Sequence, residues 1–168
     1  PNEMEVDGQK YRAKKFIIAA GSTATVPPIE GIKEVGYLTH IEALQIKQLP
    51  KELIVVGAGP LGLEFAQMYA RFGTKVTILQ RNVSIFPPAE SELTNRLAEI
   101  LTKEGITIKI NVQVKSARKE GDKKVFTYMI GDKQDEVSAD EILLAAGKTP
   151  NTQGLALNKA CVETDEKQ

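Results

Sequence analysis

The chain has one cysteine, one histidine, few aromatic residues and no net charge. Cys161 alone can form neither an internal disulfide nor a CxxC redox pair, so no dithiol centre is expected within these residues. His40 has no neighbour in sequence to pair with and reads as a solvated residue at a helix start rather than a general base. No catalytic residue and no metal site is expected. The 22 basic and 22 acidic side chains cancel, which leaves no overall field to recruit nucleic acid or a membrane surface. No run approaches the roughly 18 apolar residues of a membrane span, and no leader-like segment opens the chain, so the expectation is a soluble, cytoplasmic protein. Pro1 in place of a methionine and the polar run 163–168 read as cut ends of a longer chain.

What is present centres on residues 53–66. Leu53-Ile54-Val55-Val56 is an apolar, β-branched strand, Gly57-Ala58-Gly59-Pro60-Leu61-Gly62 is a three-glycine turn, and Leu63-Glu64-Phe65-Ala66 continues as a helix. That order suits a dinucleotide. Gly57 permits a tight turn, Gly59 lets a pyrophosphate approach the backbone, and Gly62 lets helix and strand pack closely. The helix start offers N–H groups and a positive dipole end, and Pro60 at the first helical position gives up an N–H that has no intrahelical partner.

The rest of the chain builds a fold around that turn. Phe16-Ile17-Ile18-Ala19-Ala20 reads as a buried strand ended by Gly21-Ser22, followed by a connector through Pro27-Pro28 and Gly31. A short helix is expected from a Thr39 cap to Pro50. The helix from Pro60 carries Leu61, Phe65, Met68, Tyr69 and Phe72 and stops at Gly73, and Lys75–Leu79 is a second strand. A second helix, with Leu93, Leu97, Ile100 and Leu101 on its apolar face, leads past Gly105 to a third strand, 106–110. Short strands around 112–117, 125–130 and 136–138 then form an antiparallel meander, and 141–146 returns as a buried strand ending at Gly147. The fold class is α/β: a Rossmann-like three-layer dinucleotide-binding domain with a parallel sheet and an antiparallel β-meander.

Gln80-Arg81-Asn82 follows the second strand, where a carboxylate would bond the ribose of NAD. No carboxylate stands there to repel a 2′-phosphate, and Arg81 can pair with one, so NADPH is expected, with NADH possible.

Three separated stretches resemble the flavin-dependent pyridine nucleotide-disulfide oxidoreductases. They are Ile18–Ser22 with Val26–Gly31, the glycine turn with Glu64, and Leu144-Ala145-Ala146-Gly147-Lys148-Thr149-Pro150-Asn151. Within that family, Pro27-Pro28-Ile29, Thr39–Leu44, Leu63–Gln67 and Pro150-Asn151-Thr152 look most like mercuric reductases, with dihydrolipoamide dehydrogenases next. The resemblance implies that Gly57, Gly59, Pro60, Leu61 and Gly62 hold the pyrophosphate, with Gln80 and Arg81 at the adenosine end. It places Glu64 beside the nicotinamide, Gly147 along the nicotinamide half, and Gly21 against a flavin. Where some relatives carry a second arginine, six positions after Arg81, this chain has Pro87, and Lys148 stands where arginine is usual.

The implied domains are 1–38, a piece of the FAD domain with its connector; 39–150, the NAD(P)H-binding domain; and 151–168, a return toward the FAD domain. The implied partners are the remaining FAD and dimerisation domains of a homodimer. The implied role is passage of hydride to FAD and then to a redox disulfide, with no catalysis by this piece alone. The alternatives are a dihydrolipoamide dehydrogenase domain and a non-catalytic NAD(P)-binding redox sensor.

Overall fold

The computed structural model describes residues 2–165. They form two compact units, one from residues 2–23 with 148–165 and the other from residues 24–147.

The first unit opens with a hairpin, β1 (Glu3–Val6) and β2 (Gln9–Arg12), paired antiparallel. Asp7 and Gly8 both take positive φ, 51° and 79°, which is what a two-residue turn between right-twisted strands requires. Residues 16–20, expected as a buried strand, have no regular structure, and Ile17 is 93% exposed. No strand among the described residues lies beside them, and a lone strand can neither satisfy its backbone nor bury its side chains. Next, β3 (Ser22–Ala24) pairs with the last described strand, Lys148–Pro150. Asn151 secures this end: its N–H donates to the Gly21 carbonyl at 3.0 Å, its Nδ2 to the Ala20 carbonyl at 3.1 Å, and its Oδ1 accepts from the Thr23 hydroxyl at 2.7 Å.

The second unit begins with two short helices, α1 (Ile32–Val35) and α2 (His40–Gln45). Thr39 caps α2 as expected: its hydroxyl accepts from the Ile41 N–H at 3.2 Å, and Glu42 accepts from the Thr39 N–H at 2.8 Å. The helix ends at Gln45 rather than running to Pro50, because Ile46 turns extended and packs against the core.

Three parallel strands follow around two helices: β4 (Glu52–Val56), α3 (Pro60–Arg71), β5 (Lys75–Leu79), α4 (Ser91–Lys103) and β6 (Thr107–Lys109). The chain then forms the meander β7 (Val112–Glu120), β8 (Lys123–Ile130) and β9 (Lys133–Ala139) before β10 (Glu141–Leu144) returns to the sheet. The sheet order is β10-β4-β5-β6, all parallel, and the meander is antiparallel throughout. The closing strand of the first unit is β11 (Lys148–Pro150).

Alternation along the sheet makes two cores. Leu53, Val55, Val76 and Ile78 pack against Leu63, Phe65, Ala66 and Tyr69 of α3 on one face. Ile54, Val56, Leu79, Ile142 and Leu144 pack against Phe126 and Tyr128 of the meander on the other. The result is the expected three layers of helices, parallel sheet and meander. Leu61, Phe65, Met68 and Tyr69 of α3 and Leu97 and Leu101 of α4 face the core as expected, and the exceptions lie at the edges of those faces. Phe72 caps α3 beyond its last turn and is 62% exposed. On α4, Thr94 and Leu101 are buried with Leu97 beside the core, which puts Leu93 and Ile100 on the outer flank. Among the described residues no helix is long and apolar enough to cross a membrane.

Candidate dinucleotide site

Parallel register brings the C-terminal ends of the strands to one edge: Val56 is level with Leu79 and with Leu144. The chain leaves that edge at Gly57, Gln80 and Ala145. Gly57 is held there by its N–H, which donates to the Leu79 carbonyl at 2.9 Å, and it turns at a φ of 107°. A β-carbon at Gly57 would overlap the Ala145 carbonyl oxygen, and one at Gly62 would overlap the Gly57 carbonyl oxygen. Both glycines are therefore required by the protein's own packing.

Gly59 is different. Its φ of −77° and ψ of −179° suit any residue, and a β-carbon there would meet nothing within 4 Å. Nothing in the fold requires glycine at this position. It stands at the N-cap of α3, where a side chain would project into the space in front of the free helix end. That open space suits an anion needing close contact with backbone. Pro60 is the first helical residue, and the N–H groups of Leu61 and Gly62 lie in the first turn, where no intrahelical acceptor exists. The first turn carries no acidic residue, so the positive end of the helix dipole is unopposed. Glu64 lies just beyond it, exposed and with no ion pair among the described residues.

At the end of β5 the side chain of Gln80 turns inward and is 7% exposed. Its Oε1 accepts from the Ala58 N–H at 3.2 Å and its Nε2 donates to the Ser84 carbonyl at 3.1 Å. Arg81 is exposed, next in the chain, and bonds to no other described residue. Its backbone neighbourhood is fixed by the N–H groups of Val112 and Asn111, which donate to the carbonyls of Gln80 and Asn82 at 2.9 Å each. Gly147 is exposed, turns at a φ of 113°, and accepts at its carbonyl from the Thr25 N–H at 3.0 Å. Thus Gly57, Gly59, Pro60, Leu61, Gly62, Glu64, Gln80, Arg81 and Gly147 all lie in the second unit, while Gly21 lies in the first. Sequence reasoning missed Ala58, Ser84 and Phe86, which hold the turn through backbone groups. Ala58 is fully buried, and a small residue between two glycines was the one available sign of it.

A family model described as pyridine nucleotide-disulphide oxidoreductase matches residues 1–168. The chain belongs to that family. It is 34% identical over 164 residues to a mercuric reductase of Staphylococcus aureus, covering 98% of this chain and 30% of that protein. It is 36% identical over 174 residues to a dihydrolipoyl dehydrogenase of Acholeplasma laidlawii, covering 98% of this chain and 51% of that one. Among solved structures, the HOCl-induced flavoprotein disulfide reductase RclA from Escherichia coli superposes with a TM-score of 0.84 at 30% identity, over 99% of this chain and 38% of that one. The chain therefore spans 30% to 51% of the length of these relatives.

Proposed function

We propose that this chain is the NADPH-binding part of a flavin-dependent disulfide oxidoreductase of the mercuric-reductase kind. The observation that carries the dinucleotide reading is Gly59, a glycine with no internal reason to be one, at the open N-terminus of a twelve-residue helix. Gly59, Leu61 and Gly62 offer backbone to the pyrophosphate, and Pro60 fixes the helix entry. Arg81 meets the 2′-phosphate, unopposed by any carboxylate at position 80. Glu64 and Gly147 border the nicotinamide half, and Gly21 lies on the flavin side. When bound, the reduced nicotinamide supplies a hydride that the flavin relays to a disulfide. This chain's residues bind and orient the donor. FAD, the redox cysteines and the dimerisation domain of a homodimer belong to other parts of the protein, so the chain alone binds NADPH without catalysis. Residues 39–150 form the NAD(P)H-binding domain in this reading, with 1–38 and 151–168 running to and from the FAD domain. A cytoplasmic location fits a protein of this kind. The neutral, inward-turned Gln80 favours a mercuric-reductase-like over a dihydrolipoyl-dehydrogenase-like partner choice, since the latter needs a carboxylate facing the ribose.

Calorimetric titration of the chain with NADPH and NADH tests this directly. Tighter binding of NADPH is expected. Equal or reversed affinities contradict the role of Arg81, and no binding of either contradicts the dinucleotide reading.

A further inference from the structure

Three buried polar residues stand out among those described, Thr74, Gln80 and Thr94, and only Gln80 sits at the edge of the sheet that carries the glycine turn. Its amide uses both ends. The oxygen accepts from Ala58 and the nitrogen donates to the carbonyl of Ser84. The carbonyl of Ala58 in turn accepts from the Phe86 N–H at 2.8 Å. The N–H of the residue between Gly57 and Gly59 is thus held by Gln80, itself tied to Ser84, and its carbonyl is held by Phe86. Ala58 is fully buried, so water cannot replace either bond. The far anchor, Phe86, has a φ of 41°, a conformation that residues with a β-carbon rarely adopt and that persists only where surrounding bonds hold it.

We infer that Gln80 is a positioning residue that couples the pyrophosphate turn to the 81–86 segment, fixing the distance at which Arg81 and the helix start read the two phosphate groups of one ligand. This rests on the NADPH reading above and deepens it. Gln80 then acts without touching the cofactor, through a bridge that needs an acceptor and a donor on one side-chain end. Methionine has the length, no donor and only a weak thioether acceptor. An ionised glutamate has the acceptor and not the donor, and it faces the Ser84 carbonyl with a negative charge; once protonated it has both.

The test uses the whole 168-residue chain and two probes, 2′-phospho-ADP-ribose and ADP-ribose, titrated calorimetrically into wild type, Gln80→Met, Gln80→Glu, Arg81→Ala and the Gln80→Met/Arg81→Ala double variant. Gln80→Met is expected to lower the preference for the phosphorylated probe about tenfold, and to leave that preference unchanged when Arg81 is already alanine. Gln80→Glu loses the preference at about pH 8 and regains it, relative to wild type at the same pH, on acidification to about pH 5. A purely structural role would weaken both probes equally and add in the double variant, which overturns the coupling. If Gln80→Met does not fold, the pH response of Gln80→Glu decides when it is compared with the Gln80→Glu/Arg81→Ala variant: a response lost without Arg81 supports the coupling, whereas a flat response, or one that persists without Arg81 as direct repulsion by the carboxylate would, overturns it. A wild-type preference that survives at Gln80→Met overturns this inference alone. A wild type without preference overturns the NADPH reading and the coupling together.

Discussion

The carbonyl oxygen of Gly57 lies against Gly62, in the space that a β-carbon on Gly62 would occupy. Helix α3 can start that close to the strand only because residue 62 has no side chain. The contact is backbone on backbone, so no rotamer change relieves it. Gly62→Ala should cost about 2–3 kcal/mol in urea unfolding. Gly59→Ala, facing open space, should stay within about 1 kcal/mol of wild type while weakening dinucleotide binding at least about tenfold. The same substitution in one turn thus separates a packing glycine from a binding glycine.

Arg81→Ala should weaken NADPH by about 10- to 100-fold, the worth of a charge-assisted bond to phosphate, and leave NADH nearly unchanged. Arg81 has no bond to lose among the described residues, so its removal should not move the unfolding midpoint. Paired titrations of the two cofactors check both statements.

The buried hydroxyl of Tyr69 donates to the Ala43 carbonyl at 2.7 Å and ties α2 to α3. Burial, and then the charge of Glu141, push its pKa up, so it remains a donor across the neutral range. Tyr69→Phe should cost about 1–2 kcal/mol in urea unfolding, since the carbonyl loses its partner away from water.

Acid stability should depend on Lys123. Its ammonium bonds Glu52 at 2.8 Å and Asp140 at 2.6 Å, joining the meander to the sheet. Glu52 is held below the usual carboxylate range by Lys123 first and Lys75 second, and Asp140 by Lys123 first and the Glu52 N–H second. Carboxylates depressed in the folded state stabilise it above their unfolded values near about pH 4, and that contribution is lost as pH falls through the lower folded values. Lys123→Met should therefore raise the pH at which acid unfolds the chain. At neutral pH the cost should be about 1 kcal/mol or less, because these groups are partly solvated. Circular dichroism across an acid titration measures both.

The parallel sheet and its glycine turn were legible because their cause is local. Leu53 to Val56 must be a strand buried on both faces, and the glycine spacing of Gly57 to Gly62 before a helix marks a tight turn that leaves no room for side chains at 57 and 62. The stretch 16–20 misled for the opposite reason: an apolar run records a wish for burial, and whether a neighbouring strand exists is not written in it. On α4 Leu97 and Leu101 turn inward as their spacing implies, while Thr94, a polar residue, takes the inward position expected of Leu93. The hairpin at Asp7-Gly8 was not expected, although Asp-Gly is a turn signal, because the flanking residues 3–6 and 9–12 are mostly polar and stay exposed. At the site, Gly59 and Arg81 could be chosen by residue type. The inward turn of Gln80 could not, because its partners are the backbone groups of Ala58 and Ser84, which any residue type would supply.

The most direct test of the central claim is a map of backbone amide chemical-shift changes when NADPH is added to the ¹⁵N-labelled chain. The largest changes should fall on Gly59, Leu61 and Gly62 at the start of α3, with a second set at Arg81 that NADH does not reproduce. Changes centred elsewhere, or identical maps for the two cofactors, would contradict the account.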